Sequence, residues 1–265
     1  MLCLLLSTLT GCDNTPHGTS ARSVYLHGKN MLDHAKDQQA IDSFLSAIEI
    51  EPEFAEPYIE LAGLYISRNE LPQARSILEK LLAVNPNSAE AYYLLGKSCR
   101  LEGNDTEAEQ HIRRAVALSA VSYDAALRQL AGLFNDTGRY GDAYKIYTHL
   151  ISLNRYSGDT DGKQNARNYY EIGIILLYQK EPEKAAGAFR KALYFDESFL
   201  PAYMPLALLY IYLDSKESAM HCYTYLFNIQ SSQAKQLYEI IKHTRTVGTF
   251  DEFFAKHRKE FLGKD

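Results

Sequence analysis

Apolar positions along the middle of the chain follow two periods at once. Over short stretches they fall three and four residues apart, the spacing of one helix face, and the whole pattern then returns every 34 residues. Between Ala55 and Ser122 the copy is plainest: Tyr58, Leu61, Ala62, Tyr65, Ala74, Leu78, Leu81 and Pro86 recur as Tyr92, Leu95, Gly96, Cys99, Ala108, Ile112, Ala115 and, at the proline slot, Ala120. Leu61 and Tyr65 lie one turn apart on the face that meets a second helix. A small residue at position 8 (Ala62, Gly96) lets the two helices approach, and Ala74 at position 20 does so from the partner helix. Pro86 ends that partner, because proline lacks an amide donor and clashes with the preceding turn. One such pair cannot bury its apolar face alone, so copies must stack.

The stride and its small residues resemble the tetratricopeptide repeat (TPR) family. That resemblance implies an all-α fold, a right-handed superhelix of about six helix–turn–helix repeats with C-terminal capping helices. The repeats fall at 21–54, 55–88, 89–122, 124–157, 166–199 and 200–233, with capping helices over 234–265. Repeat one carries Val24, Gly28, Met31, Ala40, Phe44, Ala47 and Pro52, with His27 in place of the usual leucine. Repeat four carries Leu127, Ala131, Phe134, Ala143, Tyr147 and Leu150, turns at Asp136-Thr137-Gly138, and has Arg155 at the proline slot. A polar loop, Ser157 to Gln164, then breaks the rhythm. Its Asp159 and Asp161 have calcium-loop spacing, but no bidentate acid follows, which excludes calcium.

Repeat five shows Tyr169, Gly173, Leu176, Ala185, Phe189 and Ala192, and repeat six Tyr203, Ala207, Tyr210, Ala219, Tyr223 and Leu226. Pro72 and Pro182 open second helices, where a missing donor costs little. Pro205, one turn after Pro201, predicts a kink or a delayed helix start. Leu237, Ile240 and Ile241 share a face of a helix from Ala234 to Thr246. Thr249 to Glu252 then resembles a capping box opening one last helix, with Phe253, Phe254, His257 and Phe261 on one side. That helix folds back on the array or presents its aromatics to a partner.

The N-terminus reads as an address. Leu2 to Leu9 is too short to span a bilayer, and Leu9-Thr10-Gly11-Cys12 resembles the lipobox of bacterial lipoproteins. The resemblance implies a signal peptide over 1–11, lipidation of Cys12 and a tether over 12–20. It departs from that family in having no Lys or Arg before the apolar run, which a longer N-terminus explains. Asp13 and Asn14 resemble the inner-membrane retention signal of enterobacterial lipoproteins, so the choice between inner and outer membrane stays open, with the folded part on the periplasmic side.

A net charge of -5 sets aside a general nucleic-acid role, and Lys256-His257-Arg258-Lys259 reads as a solvated helix face. Cys3 leaves with the signal. Cys99 and Cys222 lie too many repeats apart to pair and read as buried thiols. The eight histidines are scattered, and no phosphate loop, zinc-ligand pair or nucleophile elbow is present, so no catalysis, cofactor or metal is expected.

In TPR proteins the first helices line a concave surface through positions 2, 5, 9, 12 and 13. Carried across, the early groove holds Arg22, Tyr25, Lys29, Glu56, Ile59, Glu90, Tyr93, Lys97 and Arg100. The middle holds Arg128, Asn135 and Arg167, and the late groove Tyr170, Leu177, Tyr178, Met204, Leu208, Ile211 and Tyr212. The surface so described changes from mixed charge to aromatic and aliphatic, and is either open to a partner or filled by the C-terminal helices. The clamp of chaperone-binding TPR proteins for a peptide carboxylate is absent, since Lys29 and Glu60 stand at two of its positions. Lys97, Arg100 and Arg128 either bind an acidic segment or are solvated.

The expected function is a lipid-anchored periplasmic scaffold or adaptor that grips a segment of another envelope protein, with the membrane contacted through the lipid and no nucleic acid bound. The architecture resembles that of the pilotin lipoproteins of type IV pilus systems, which implies a role in secretin assembly. An adaptor for an envelope protease or cell-wall enzyme, or a polysaccharide-binding protein exploiting the tyrosines, are the alternatives.

Overall fold

The computed structural model describes residues 20–119, 124–156, 162–244 and 248–263, and among these every regular element is helical. The stretch expected to be a signal peptide, Cys12, Ala120, Ser157 to Asp161 and the last two residues lie outside them. The chain falls into two compact units, one through Leu118 and one from Ser119.

The first unit stacks three helix pairs: α1 (Ala21–Asp33) with α2 (Asp37–Ile50), α3 (Ala55–Ser67) with α4 (Leu71–Val84), and α5 (Ala89–Leu101) with α6 (Asp105–Leu118). The second pairs α7 (Asp124–Asp136) with α8 (Tyr140–Tyr156), α9 (Gly162–Tyr178) with α10 (Pro182–Phe195), and α11 (Tyr203–Tyr212) with α12 (Lys216–Asn228). It ends in α13 (Ser232–His243), α14 (Phe250–Lys256) and α15 (Arg258–Leu262). This is the helix–turn–helix solenoid that the 34-residue stride implies.

One local device recurs in all six pairs. The first helix ends in a residue at positive φ: Ala35, Asn69, Gly103, Gly138, Lys180 or Asp214. The next residue donates its N–H back to the first helix, as from Lys36 to Met31 O at 2.9 Å and from Ser215 to Tyr210 O at 2.7 Å. The same residue's carbonyl then accepts from the position-20 alanine, as Ala40 to Lys36 O at 3.1 Å and Ala185 to Glu181 O at 2.9 Å. One residue therefore closes one helix and opens the next.

Those alanines (Ala40, Ala74, Ala108, Ala143, Ala185 and Ala219) are all fully buried. Opposite them at position 8, Ala62, Ala131 and Ala207 are fully buried too, and the glycines leave no room at all. A Cβ on Gly96 would stand 2.5 Å from Ile112 Cγ1, and one on Gly173 2.6 Å from the Phe189 ring. Tyr58 and Tyr203, at matching positions, brace the links between pairs by donating to Pro52 O (3.1 Å) and Glu197 O (3.0 Å).

Three details differ from or sharpen the sequence reading. Helix α9 begins at Gly162, one turn before Ala166, which shortens the polar loop. Pro205 delays its helix: a 3-10 turn at Leu200–Ala202 comes first, and α11 starts at Tyr203, so the proline sits in the first turn where no donor is missed. The single last helix expected after Thr249 is two short helices broken at His257, although the capping box between Thr249 and Glu252 is formed.

Replacing Ala35 by Gly should relieve its left-handed backbone and stabilise the chain by about 1 kcal/mol. Gly173→Ala should cost about 1–3 kcal/mol by overpacking against Phe189. Urea unfolding midpoints read both, and equal midpoints for parent and Gly173→Ala would refute the close-approach account.

Candidate functional site

In the first unit the early-groove residues are largely committed to one another. Lys29 Nζ pairs with Glu60 at 2.6 Å, and Tyr25 donates to the same carboxylate at 3.4 Å. The two residues that remove the carboxylate clamp thus bond each other, and Glu60 raises the Lys29 pKa through that bond. The Tyr25 ring lies 5.9 Å from Phe44 and 5.3 Å from Phe54, so it is packing as much as surface. Ile59 packs on the core, Tyr93 and Arg100 are half-buried, and Lys97 is exposed.

The same unit holds a polar cluster that the search for histidine pairs passes over. Donor atoms of Cys99, Glu107 and His111 lie within 4.8 Å of one another. Arg75, from the preceding repeat, reaches into it: its guanidinium donates to Glu107 and Glu102 at 2.8 Å each and to Cys99 Sγ at 3.4 Å. The bond from Arg75 holds the Glu107 carboxyl below its ordinary pKa, while burial pushes the Cys99 thiol up. The Arg75 guanidinium is the cation of this cluster, and its bonds to Glu102, Glu107 and Cys99 tie the second repeat to the third.

The second unit contains a cleft of about 770 Å³. Helices α7 and α9 contribute Arg128, Arg167, Asn168, Tyr170 and Glu171, and the link into α11 contributes Phe199, Leu200, Pro201 and Met204. The far wall is the start of α13 (Ser231 to Gln233) and the end of α15 (Glu260 to Gly263). Tyr170 packs against Phe189 (5.6 Å) and Phe199 (5.5 Å), and burial pushes its hydroxyl up to about 12, so it stays a phenol. Arg128 donates to Asn168 Oδ1 at 3.1 Å and pairs with Asp124 at 3.2 Å. Asn168 is 1 % exposed and its Nδ2 has no partner among the described residues. Arg167 is exposed at the rim, and Asn135 donates to Glu171 at 3.5 Å. This lining offers aromatic contact and hydrogen-bond donors, the means of recognising a peptide segment.

The late groove needs correction. Leu177, Met204, Leu208 and Ile211 are at most 2 % exposed, and of the four only Met204 lines the cleft. For the three on α11 the reason is that α13 and α15 pack on that helix and leave only Tyr210 and Tyr212 half-buried, while Leu177 is buried on α9. Tyr178 and Tyr212 are half-buried under α14: Phe254 stands edge-on to Tyr178 at 6.0 Å, and Phe250 to Tyr212 at 5.2 Å. The structure therefore brings Arg128, Arg167, Tyr170 and Met204 together, while Leu177, Leu208 and Ile211 belong to the core. Sequence reasoning missed Phe199, Phe261 and the α13 start, because they reach the cleft only through tertiary folding.

A solenoid with a groove-side cleft defines a class of helical-repeat interaction protein. Family models place it further: residues 36–98, and again 89–121 and 166–199, match the tetratricopeptide repeat. These stretches of the chain are tetratricopeptide repeats. The chain is 28% identical over 235 residues to a DnaJ homolog subfamily C member 7 homolog of Schizosaccharomyces pombe, matching 82% of this chain and 47% of the relative. It is 28% identical over 141 residues to the type IV pilus assembly protein PilF of Pseudomonas aeruginosa, 53% of each chain. The chain thus spans about half the length of these curated relatives. In fold it is similar to the crystal structure of PilW, a type IV pilus biogenesis factor, with a TM-score of 0.66, 15% identity, and coverage of 82% of this chain and 98% of that one.

Beside the cleft, His257 at the α14–α15 break is 7 % exposed, its Nε2 has no partner among the described residues, and burial holds its pKa below the ordinary imidazole value. Lys256 and Glu260 act on it from its own segment, and Lys235 and Glu239 of α13 line the same hollow. The packed ring is neutral. As pH falls through about 6.5, the freed segment takes up a proton before the packed one, so packing of α14 and α15 weakens in acid. Hydrogen-exchange protection over residues 250–262 should fall between pH 7.5 and 5.5 in the parent and stay level in His257→Phe. Equal pH dependence in both would show that another group is responsible.

Proposed function

We propose that the chain is a non-catalytic scaffold of the bacterial envelope, anchored through a lipid on Cys12 with its repeats on the periplasmic side, and that its second unit grips a segment of another envelope protein. The cleft carries this reading: Arg128, Arg167 and Tyr170 stand on first helices and converge on one 770 Å³ space, with Arg167 exposed at its rim. No helix among the described residues is long and apolar enough to cross a membrane, and the proposed anchor rests on the lipobox resemblance at Cys12. Similarity to PilF, whose name assigns it to type IV pilus assembly, supports pilus assembly as the process, and the resemblance to pilotins supports a secretin as the gripped protein. Asp13 behind the lipidated cysteine pulls the other way, toward the inner membrane.

Two measurements test this. Cys12→Ala should move the protein from the membrane pellet to the soluble fraction and abolish incorporation of labelled fatty acid, and retention of both would remove the anchor from the reading. Crosslinking with mass spectrometry in cells should trap an envelope protein on the cleft, and Arg167→Glu should reduce the adduct about tenfold with helicity unchanged. An undiminished adduct would place the partner elsewhere on the chain.

A further inference from the structure

The segment that covers the late groove shows what that surface recognises. Phe250 and Phe253 of α14 meet Tyr212 at 5.2 and 5.7 Å, and Phe254 meets Tyr178 at 6.0 Å. Tyr178 in turn stacks on Tyr140 at 4.8 Å, with planes 10° apart. Beside them Lys180 pairs with Asp251 at 2.7 Å. Three tyrosines and a lysine from successive helix pairs thus form a trough, and a short helix with three phenylalanines and a leading acid fills it. The α14 backbone bonds within its own helix and capping box, so the trough reads side chains alone.

The polar features that hold the segment are weak ones, and its grip comes from Phe250, Phe253 and Phe261, which are 9 %, 6 % and 0 % exposed. Helices α14 and α15 have 7 and 5 residues, too short to persist apart from the surface they cover. Both partners of the Lys180–Asp251 pair are more than half exposed, at 65% and 62%, where such pairs contribute little. His257 goes under with a ring nitrogen unpartnered. By contrast, the alanines that hold the repeats together are fully buried and bound into both helices.

We infer that the trough of Tyr140, Tyr178, Lys180 and Tyr212 is a docking surface for an amphipathic helix of a partner protein, one with an acid at its start and aromatic residues within one turn, and that residues 249–262 occupy it as a built-in competitor. The inference rests on the reading that the second unit grips another protein, and it adds the chemistry of the gripped segment: a helix that imitates α14. Partner binding then requires the chain's own segment to leave, so the free protein is held in a closed state.

A labelled peptide with the sequence of residues 248–263 tests this by fluorescence anisotropy against the full chain. The parent should bind weakly, and the full chain carrying Phe250→Ala and Phe254→Ala about tenfold tighter, because its own segment competes less. Tyr178→Ala and Tyr212→Ala in that background should remove the gain, because they take away the rings that Phe250, Phe253 and Phe254 meet. Circular dichroism and the urea midpoint confirm that each variant is folded. A folded segment variant that binds no better than the parent, or a folded Tyr178→Ala, Tyr212→Ala variant that keeps the gain, overturns the inference. So does a parent dimer whose segments exchange between copies, since the occupant is then a second copy of this chain. If the peptide fails while crosslinking still traps an envelope protein that Arg167→Glu releases, the scaffold reading stands and this one falls. Peptide binding without any trapped protein refutes the scaffold reading instead.

Discussion

Everything in this chain depends on how closely the two helices of each pair approach. At position 20 an alanine with no exposed surface meets an alanine or glycine at position 8, and at Gly28, Gly96 and Gly173 even a methyl group would collide with the partner helix. The same alanine donates its N–H to the residue that closes the first helix. Side-chain size and backbone hydrogen bonding are therefore set by one position, and a larger residue there would disturb both. With the pair fixed, the opposite face of each first helix needs no small residue. That freedom lets Arg128, Arg167 and Tyr170 form a cleft without weakening the stack.

What was legible in the sequence is what depends on near neighbours. The small slots, Gly138 in its turn, Pro182 opening α10 and the Thr249 capping box all act within a few residues, and each is present. The late groove was not legible. Leu177, Leu208 and Ile211 are apolar on positions the stack leaves free, and that pattern is the same whether water, a partner or the chain itself lies above. The residues that decide it are far along the chain, in α13 to α15. The break at His257 has the same origin: the period from Phe253 to Phe261 fits one helix, but α15 turns aside to pack on α11. The Cys99 cluster was hidden because its parts sit on three helices and its cation, Arg75, comes from another repeat.

Charged groups on the groove face serve the junctions between repeats before they serve any ligand. In the first unit Lys29 reaches from one first helix to Glu60 on the next, and in the second Arg128 reaches from α7 to Asn168 on α9. A ligand that bound Lys29 or Arg128 would have to replace those contacts, so its net gain would be small. Arg167 has no such tie among the described residues, and Tyr170 is already oriented by Phe189 and Phe199. Under the proposed reading, affinity would therefore concentrate on a few residues at one end of the groove. The other end is covered by a segment with its own aromatic side chains, and a ligand that reaches both ends must match the cleft and also outcompete α14. Selectivity in this arrangement comes less from charge than from the requirement that one incoming segment satisfy both conditions together.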